Sequence, residues 1–241
     1  MHEIWFTRIL NNYLAGAGNF LLGLVGIHGG ARPWTNYVAM ELLVVLIIVV
    51  VFAALKRTLS VGRPGSFQLA METLFEFMHS ETADQLGHQG ERYLPFFGTL
   101  FIFILIGNLI GIIPGFESPT MYPAVPVGCA IATFLYYNMV GVQTQGPVKY
   151  AVHFAGPIPW LAPLMLPIEI ISHLARPLSL SLRLYANMYA GEQVTQVFLG
   201  LTYFVFPALF MGLHVFVGLL QAYIFMLLAI MYVAGSAVTE H

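Results

Sequence analysis

The sequence predicts an all-α protein built into a membrane, and three observations carry that prediction. Of 241 residues, 59% are hydrophobic and only 8% are charged, whereas about a quarter of a soluble domain is charged. The mean hydropathy is +0.80. The apolar residues gather into runs long enough for helices to cross the ~30 Å hydrocarbon core. With no internal repeat or low-complexity stretch, a single membrane domain over 1–241 is expected. The net charge of −2, without a basic patch, gives no sign of nucleic acid. One cysteine, Cys129, excludes an intrachain disulfide and leaves no cysteine cluster for a metal. The start, Met-His-Glu-Ile-Trp, has neither a basic n-region nor an immediate apolar core, so no cleavable signal peptide is expected.

Residues 1–33 read as a polar-aromatic lead with a flexible Gly29-Gly30 stretch. The run 37–55, rich in Val, Leu and Ile, is the first span. Lys56, Arg57 and Arg63 follow it, so this end is expected to face the cytoplasm and the N-terminus the outside; Arg8 and Arg32 argue weakly the other way. Residues 66–90 carry Glu72, Glu76, Glu81 and Asp84 as a solvated face. Phe67, Met71, Leu74 and Met78 line one side at helical spacing, as an interfacial amphipathic helix requires. Two further spans are expected within 94–145, at 94–113 and 125–142, joined by an outer Pro114-Gly115 loop without lysine or arginine. The Pro/Gly-rich stretch 146–163 reads as a loop or re-entrant connection.

Two long apolar stretches, 164–205 and 208–236, divide near Pro207. As continuous helices they would be about 60 Å and 43 Å long. Both exceed the bilayer core, so a tilted hairpin over 164–236 is expected, with Pro167 and Pro177 as kink points and the C-terminus in the cytoplasm. Helices this long and this oblique suit a hairpin that follows the side of another assembly.

The hairpin carries an unusual set of polar residues. Arg183 is permanently charged, and a fixed charge at membrane depth marks a pathway or counter-ion site unless it snorkels or pairs within its own chain. Snorkelling is a natural reading for Arg176 beside Pro177, but Arg183 is deeper. At about 100° per residue, Arg176, Ser179, Arg183, Ala186, Asn187 and Ala190 share one stripe, with Glu192 nearly opposite Arg183. The small side chains would let a second helix approach. His214 and Gln221 lie about 20° apart on the following helix with Gly218 between them. A lone histidine is commonly a packing residue, yet histidine is the side-chain type that titrates near neutral pH, so His214 could exchange protons with Glu192. Glu169 and His173, four residues apart, make a metal site conceivable, but no third ligand stands in a matching motif.

The segment Pro177-Leu-Ser-Leu-Ser-Leu-Arg183-Leu-Tyr-Ala-Asn187-Met-Tyr-Ala-Gly-Glu192 closely resembles the signature of the a-subunit family of F-type ATP synthases. His214, Gln221-Ala-Tyr-Ile-Phe and Gly107-Asn108-Leu-Ile-Gly-Ile-Ile-Pro114-Gly-Phe resemble it too, and the likeness runs from about residue 36 to the C-terminus. It implies a non-catalytic stator subunit in a bacterial inner membrane, partnered by a ring of c subunits, a b-type stalk and the rest of the complex, with no cofactor. Two aqueous half-channels would lead protons (H⁺ rather than Na⁺) to the ring's carboxylates, with Arg183 between them. The resemblance gives Glu192, His214 and Gln221 to the outer half-channel, with Asn108 close to it. It gives Glu169, Arg176 and Ser179 to the cytoplasmic half, with His173 as a lining residue, and sets Asn187 one turn from the arginine. Many members carry an aspartate where this chain has Gly111, and Glu117 is the expected substitute. A secondary transporter gripping an anion through Arg183 is the alternative, though such proteins show paired repeats and matching helix breaks. A metal hydrolase using His153, His173 and Glu169 lacks the ligand spacing.

Overall fold

A computed structural model describes residues 4–24, 32–60, 62, 64–113, 115–147, 149–150, 162–201 and 205–237. In chain order the helices are α1 (Trp5–Tyr13), α2 (Ala15–Leu24), α3 (Asn36–Thr58), α4 (Ser66–Leu86), α5 (Leu94–Ile110), α6 (Ala124–Gln145), α7 (Ala162–Leu201) and α8 (Val205–Ala237). Short 3-10 turns lie at Gly87–Arg92 and Pro119–Met121. The all-helical membrane architecture expected from composition is what is found. Three stretches are long and apolar enough to cross a membrane: Asn36–Thr58, Ala124–Gln145 and Ala208–Ser236.

Several boundaries follow from local chemistry. Lys56 and Arg57 occupy the last turn of α3, where cations meet the negative end of the helix dipole. Gly87 ends α4 with φ of 60°, and Gly146 ends α6 with φ of 81°, a left-handed conformation that side chains with a Cβ resist. Helix α5 has 17 residues, about 25 Å, and stops at Ile110, three residues before the expected limit.

Helices α1 and α2 occupy much of the polar-aromatic lead. A tertiary contact holds it in place. Asn11 donates from Nδ2 to the Trp34 carbonyl (3.1 Å) and accepts from the Trp34 N–H (3.0 Å), tying α1 to the start of α3. Gly29-Gly30 and most of 146–163 lie outside the described residues. Both hairpin helices are long, and α7 continues through Pro167 and Pro177 over 40 residues. Pro207 falls inside the first turn of α8, where its missing N–H costs little.

The core forms where α5, α6, α7 and α8 converge. Phe97, Phe101 and Ile104 of α5, Tyr137 of α6, Leu184 and Met188 of α7 and Met226, Ile230 and Val233 of α8 are all essentially buried. Ala222 and Ala229, both fully buried on α8, keep its backbone near its neighbours, as packing between membrane helices favours. The outward face of α3 is the reverse case: Leu42, Val45, Leu46, Val49, Val50 and Phe52 are exposed, an apolar band suited to lipid.

Candidate functional site

Helix α7 positions most of the singled-out residues. Its buried ridge is Leu180, Leu184 and Met188, four residues apart. The polar stripe runs along the flank of this ridge: Ser179, Arg183, Ala186 and Ala190 are exposed, and Arg176 and Asn187 half-buried. Among the described residues, Arg183 makes no hydrogen bond or ion pair. A guanidinium has five donors, and none of them is satisfied among the described residues.

One polar cluster lies toward the start of α7. His173 is 8% exposed. Its Nε2 is 2.9 Å from Asn138 Oδ1 and 3.2 Å from the Tyr137 hydroxyl. Tyr150 donates its hydroxyl to the same Asn138 oxygen at 2.8 Å. An acceptor at that oxygen requires the His173 proton on Nε2. Glu169 pairs with Arg176 at 3.8 Å, both partly exposed, so the pair is weak. The Arg176 guanidinium also stands over the Tyr232 ring, 5.4 Å from its centre. Arg176 is therefore held by an acid and a ring of its own chain. Among the described residues no set of three His, Cys, Asp or Glu side chains could hold a metal.

A second cluster lies beyond Arg183, between α7 and α8. Asn187, Gly191 and His214 border a cavity of about 280 Å³. Gly191 has a steric role, for a Cβ there would stand 2.6 Å from His214 Nδ1. The other ring nitrogen, Nε2, is buried without a hydrogen-bond partner among the described residues, a condition that water or a proton donor relieves. Glu192 lies within electrostatic reach of His214, and its Oε1 accepts from Gln196 at 3.1 Å. Gln221 is buried on α8 near the same level as Gly218. Arg183 thus sits between the clusters, about 10 Å along the axis from Arg176 and 13 Å from Glu192.

Asn108, fully buried on α5, joins a third network. Its Nδ2 donates to the Gly218 carbonyl at 2.9 Å, and its Oδ1 accepts from Thr120 at 2.7 Å. Ser118 donates to the Gly107 carbonyl and touches the Thr120 hydroxyl, both at 2.7 Å. Two hydroxyl protons therefore serve three short contacts, and one contact at a time goes without. Asn108→Leu would remove the two hydrogen bonds that Asn108 makes, at about 0.5–1.5 kcal/mol each. The expected result is a lower thermal denaturation midpoint of the purified membrane sector; an unchanged midpoint would contradict this role for Asn108.

Gly111 and Glu117 meet at the same end. A Cβ at 111 would stand 2.9 Å from the backbone nitrogen and Cβ of Ser118. Glu117 accepts a hydrogen bond from the Tyr122 hydroxyl at 2.6 Å. Burial, and then this bond to Glu117, push the Tyr122 phenol above its ordinary range, which keeps it a donor.

Sequence reasoning missed Tyr137, Asn138, Tyr150 and Tyr232. The polar run Tyr136-Tyr137-Asn138 inside an apolar span was the available signal for the first two. Tyr150 and Tyr232 become part of the cluster only through helix packing.

Comparison with known proteins agrees with the geometry. Residues 38–234 match the family described as ATP synthase A chain. The ATP synthase subunit a of Solibacter usitatus is 63% identical over 97% of this chain and 100% of its own length. That of Koribacter versatilis is 45% identical over 100% of this chain and 99% of its own, and that of Geotalea daltonii 41% over 92% and 94%. With a family match over most of its length and relatives this similar, the chain belongs to the ATP synthase A chain family.

Proposed function

We propose that this chain conducts protons past a rotor in the membrane sector of an ATP synthase. Family membership makes it a membrane subunit of that complex, with bond chemistry at ATP left to other subunits. The observation that carries the finer reading is Arg183: a permanent cation midway along α7, on an exposed flank of small side chains, with no hydrogen bond or ion pair among the described residues. Such a charge is stable in hydrocarbon only if something outside the chain brings an anion to it. A ring of c subunits, each with a carboxylic acid at mid-membrane, would do so.

A guanidinium favours the ionised form of a facing carboxylate. An arriving ring acid would therefore release its proton near Arg183, stay paired as an anion while it passes, and take a proton again beyond. The two polar clusters on either side of Arg183 supply the routes. Glu192, His214, Asn187 and Gln221, with Asn108 behind them, serve the half-channel open to the outside. Glu169, His173, Arg176 and Ser179, joined by Tyr137 and Asn138, serve the cytoplasmic half. Arg183 blocks a direct leak between them, because a proton repels from a fixed cation. The N-terminus lies outside a bacterial inner membrane and the C-terminus in the cytoplasm, with a b-type stalk holding the subunit against the ring.

Contact between the Arg183 flank and a ring is directly testable. Ala186, exposed one turn past Arg183, is changed to cysteine in a Cys129→Ser background, and a cysteine is placed beside the ring carboxylate. Oxidation of the intact complex should join the two chains. If no cross-link forms while both variants assemble, the ring does not pass this flank and the reading fails.

A further inference from the structure

We infer that Glu41, a carboxylate in the first span, exchanges protons at the outer end of the pathway. This rests on the proton-conducting reading above. Glu41 is the one acid of α3. It lies five residues past the helix start, about 7 Å in along the axis, where an ionisable group is costly and marks a functional site by default.

The helix turns Glu41 toward protein. Tyr37, Glu41, Val44 and Ile48 share one stripe. At one end of it the Tyr37 ring meets the Tyr122 ring, with centres 5.7 Å apart. At the other, Val44 is fully buried in a cluster with Met40 and Ile110. Glu41 between them is half-buried, and Cys129 of α6 lies within electrostatic reach of it. Yet among the described residues no donor or cation bonds its carboxyl. An ionised carboxylate half-withdrawn from solvent without donors is unfavourable. The group must hold a proton or meet water, and a group that alternates between the two carries protons.

A side chain at 111 would collide with the Ser118 backbone, so an acid cannot be built there while the Pro119–Met121 turn stays in place. Helix α3 packs against that same turn from the other side, and Glu41 is the acid it brings. Among the described residues Cys129 of α6 lies within electrostatic reach of Glu41; the elements packed against α3 also carry Tyr122, whose ring meets Tyr37 and whose hydroxyl bonds Glu117, Arg8 on α1, and the acids of α4. Helix α5 contributes no titratable residue, only the neutral Asn108.

The test uses the whole complex in proteoliposomes. Glu41→Gln should slow ATP synthesis driven by an imposed pH gradient at least about tenfold, as expected for loss of a proton-transferring group. It should also alter the dependence on the pH of the outer face. Glu41→Asp should recover most of the rate, and ATP hydrolysis by the detergent-released complex should stay normal in both. Glu41→Cys in the Cys129→Ser background should react with a membrane-impermeant methanethiosulfonate reagent added from the outer face. A normal rate and pH profile in Glu41→Gln, beside an inactive Arg183→Ala, would overturn the role of Glu41 and leave the pathway standing. Activity in both variants would overturn the pathway itself. Should Glu41→Gln fail to assemble, the labelling decides, and protection of the introduced thiol overturns the proposal.

Discussion

Arg183→Ala is expected to abolish both ATP-driven proton pumping and proton-driven ATP synthesis while the complex still assembles. Assembly should survive because the side chain is exposed and makes no hydrogen bond or ion pair among the described residues. The core ridge beside it, Leu180, Leu184 and Met188, is untouched. Activity should not survive. Removing one member of a desolvated ion pair leaves an unpaired charge at a cost of about 3–5 kcal/mol, a shift of roughly two to four orders of magnitude in the ionisation of the ring acid. The ring acid would then keep its proton on passing, and the two half-channels would be joined without a barrier. Fluorescence quenching of a pH dye in inverted vesicles measures the first activity, and luciferase-coupled synthesis the second. Normal ATP-driven pumping by this variant would remove Arg183 from the mechanism.

The second large effect is expected at the Glu192–His214 pair. Glu192→Gln and His214→Ala should each reduce proton-driven synthesis by about one to two orders of magnitude, the scale on which single proton-transferring groups act. The double variant should be little worse than the poorer single one, because groups that act in series on one route are coupled rather than additive. The basis is geometric. Gly191 lets the His214 ring close to within side-chain contact of α7, and its buried Nε2 has no partner among the described residues. Initial rates of synthesis at several outer pH values provide the measurement. Unchanged rates in both single variants would take the pair off the route.

These two experiments probe opposite properties of one helix. On the proposed reading, Arg183 would act because nothing among the described residues neutralises it, and His214 because packing against Gly191 holds its ring in a buried place with Nε2 unsatisfied among those residues. Arg176 is a useful contrast. It lies on the same stripe as Arg183, but Glu169 and the Tyr232 ring engage it. The same residue type, seven positions away, thus has a different environment.

The sequence alone determined the class and much of the layout. Apolar runs of bilayer length, few charges and 3.6-residue periodicity dictate membrane helices, because a backbone in hydrocarbon must satisfy its hydrogen bonds internally. The same periodicity put Arg176, Ser179, Arg183 and Asn187 on one flank before any coordinates were known. It was silent where a contact joins distant segments. The helical lead is held by Asn11 and Trp34, 23 positions apart. Asn108 bonds the Gly218 backbone 110 positions away. His173 finds Tyr137 and Asn138 on another helix. Glu41 passed unremarked as one polar residue in an apolar run, although the fold turns it inward. Periodicity fixes which residues share a face of one helix, but the packing of side chains between helices decides which face meets which. Only the tertiary structure could therefore decide that Arg176 has partners while Arg183 has none among the described residues, and that Ser118 fills the space a side chain at 111 would need.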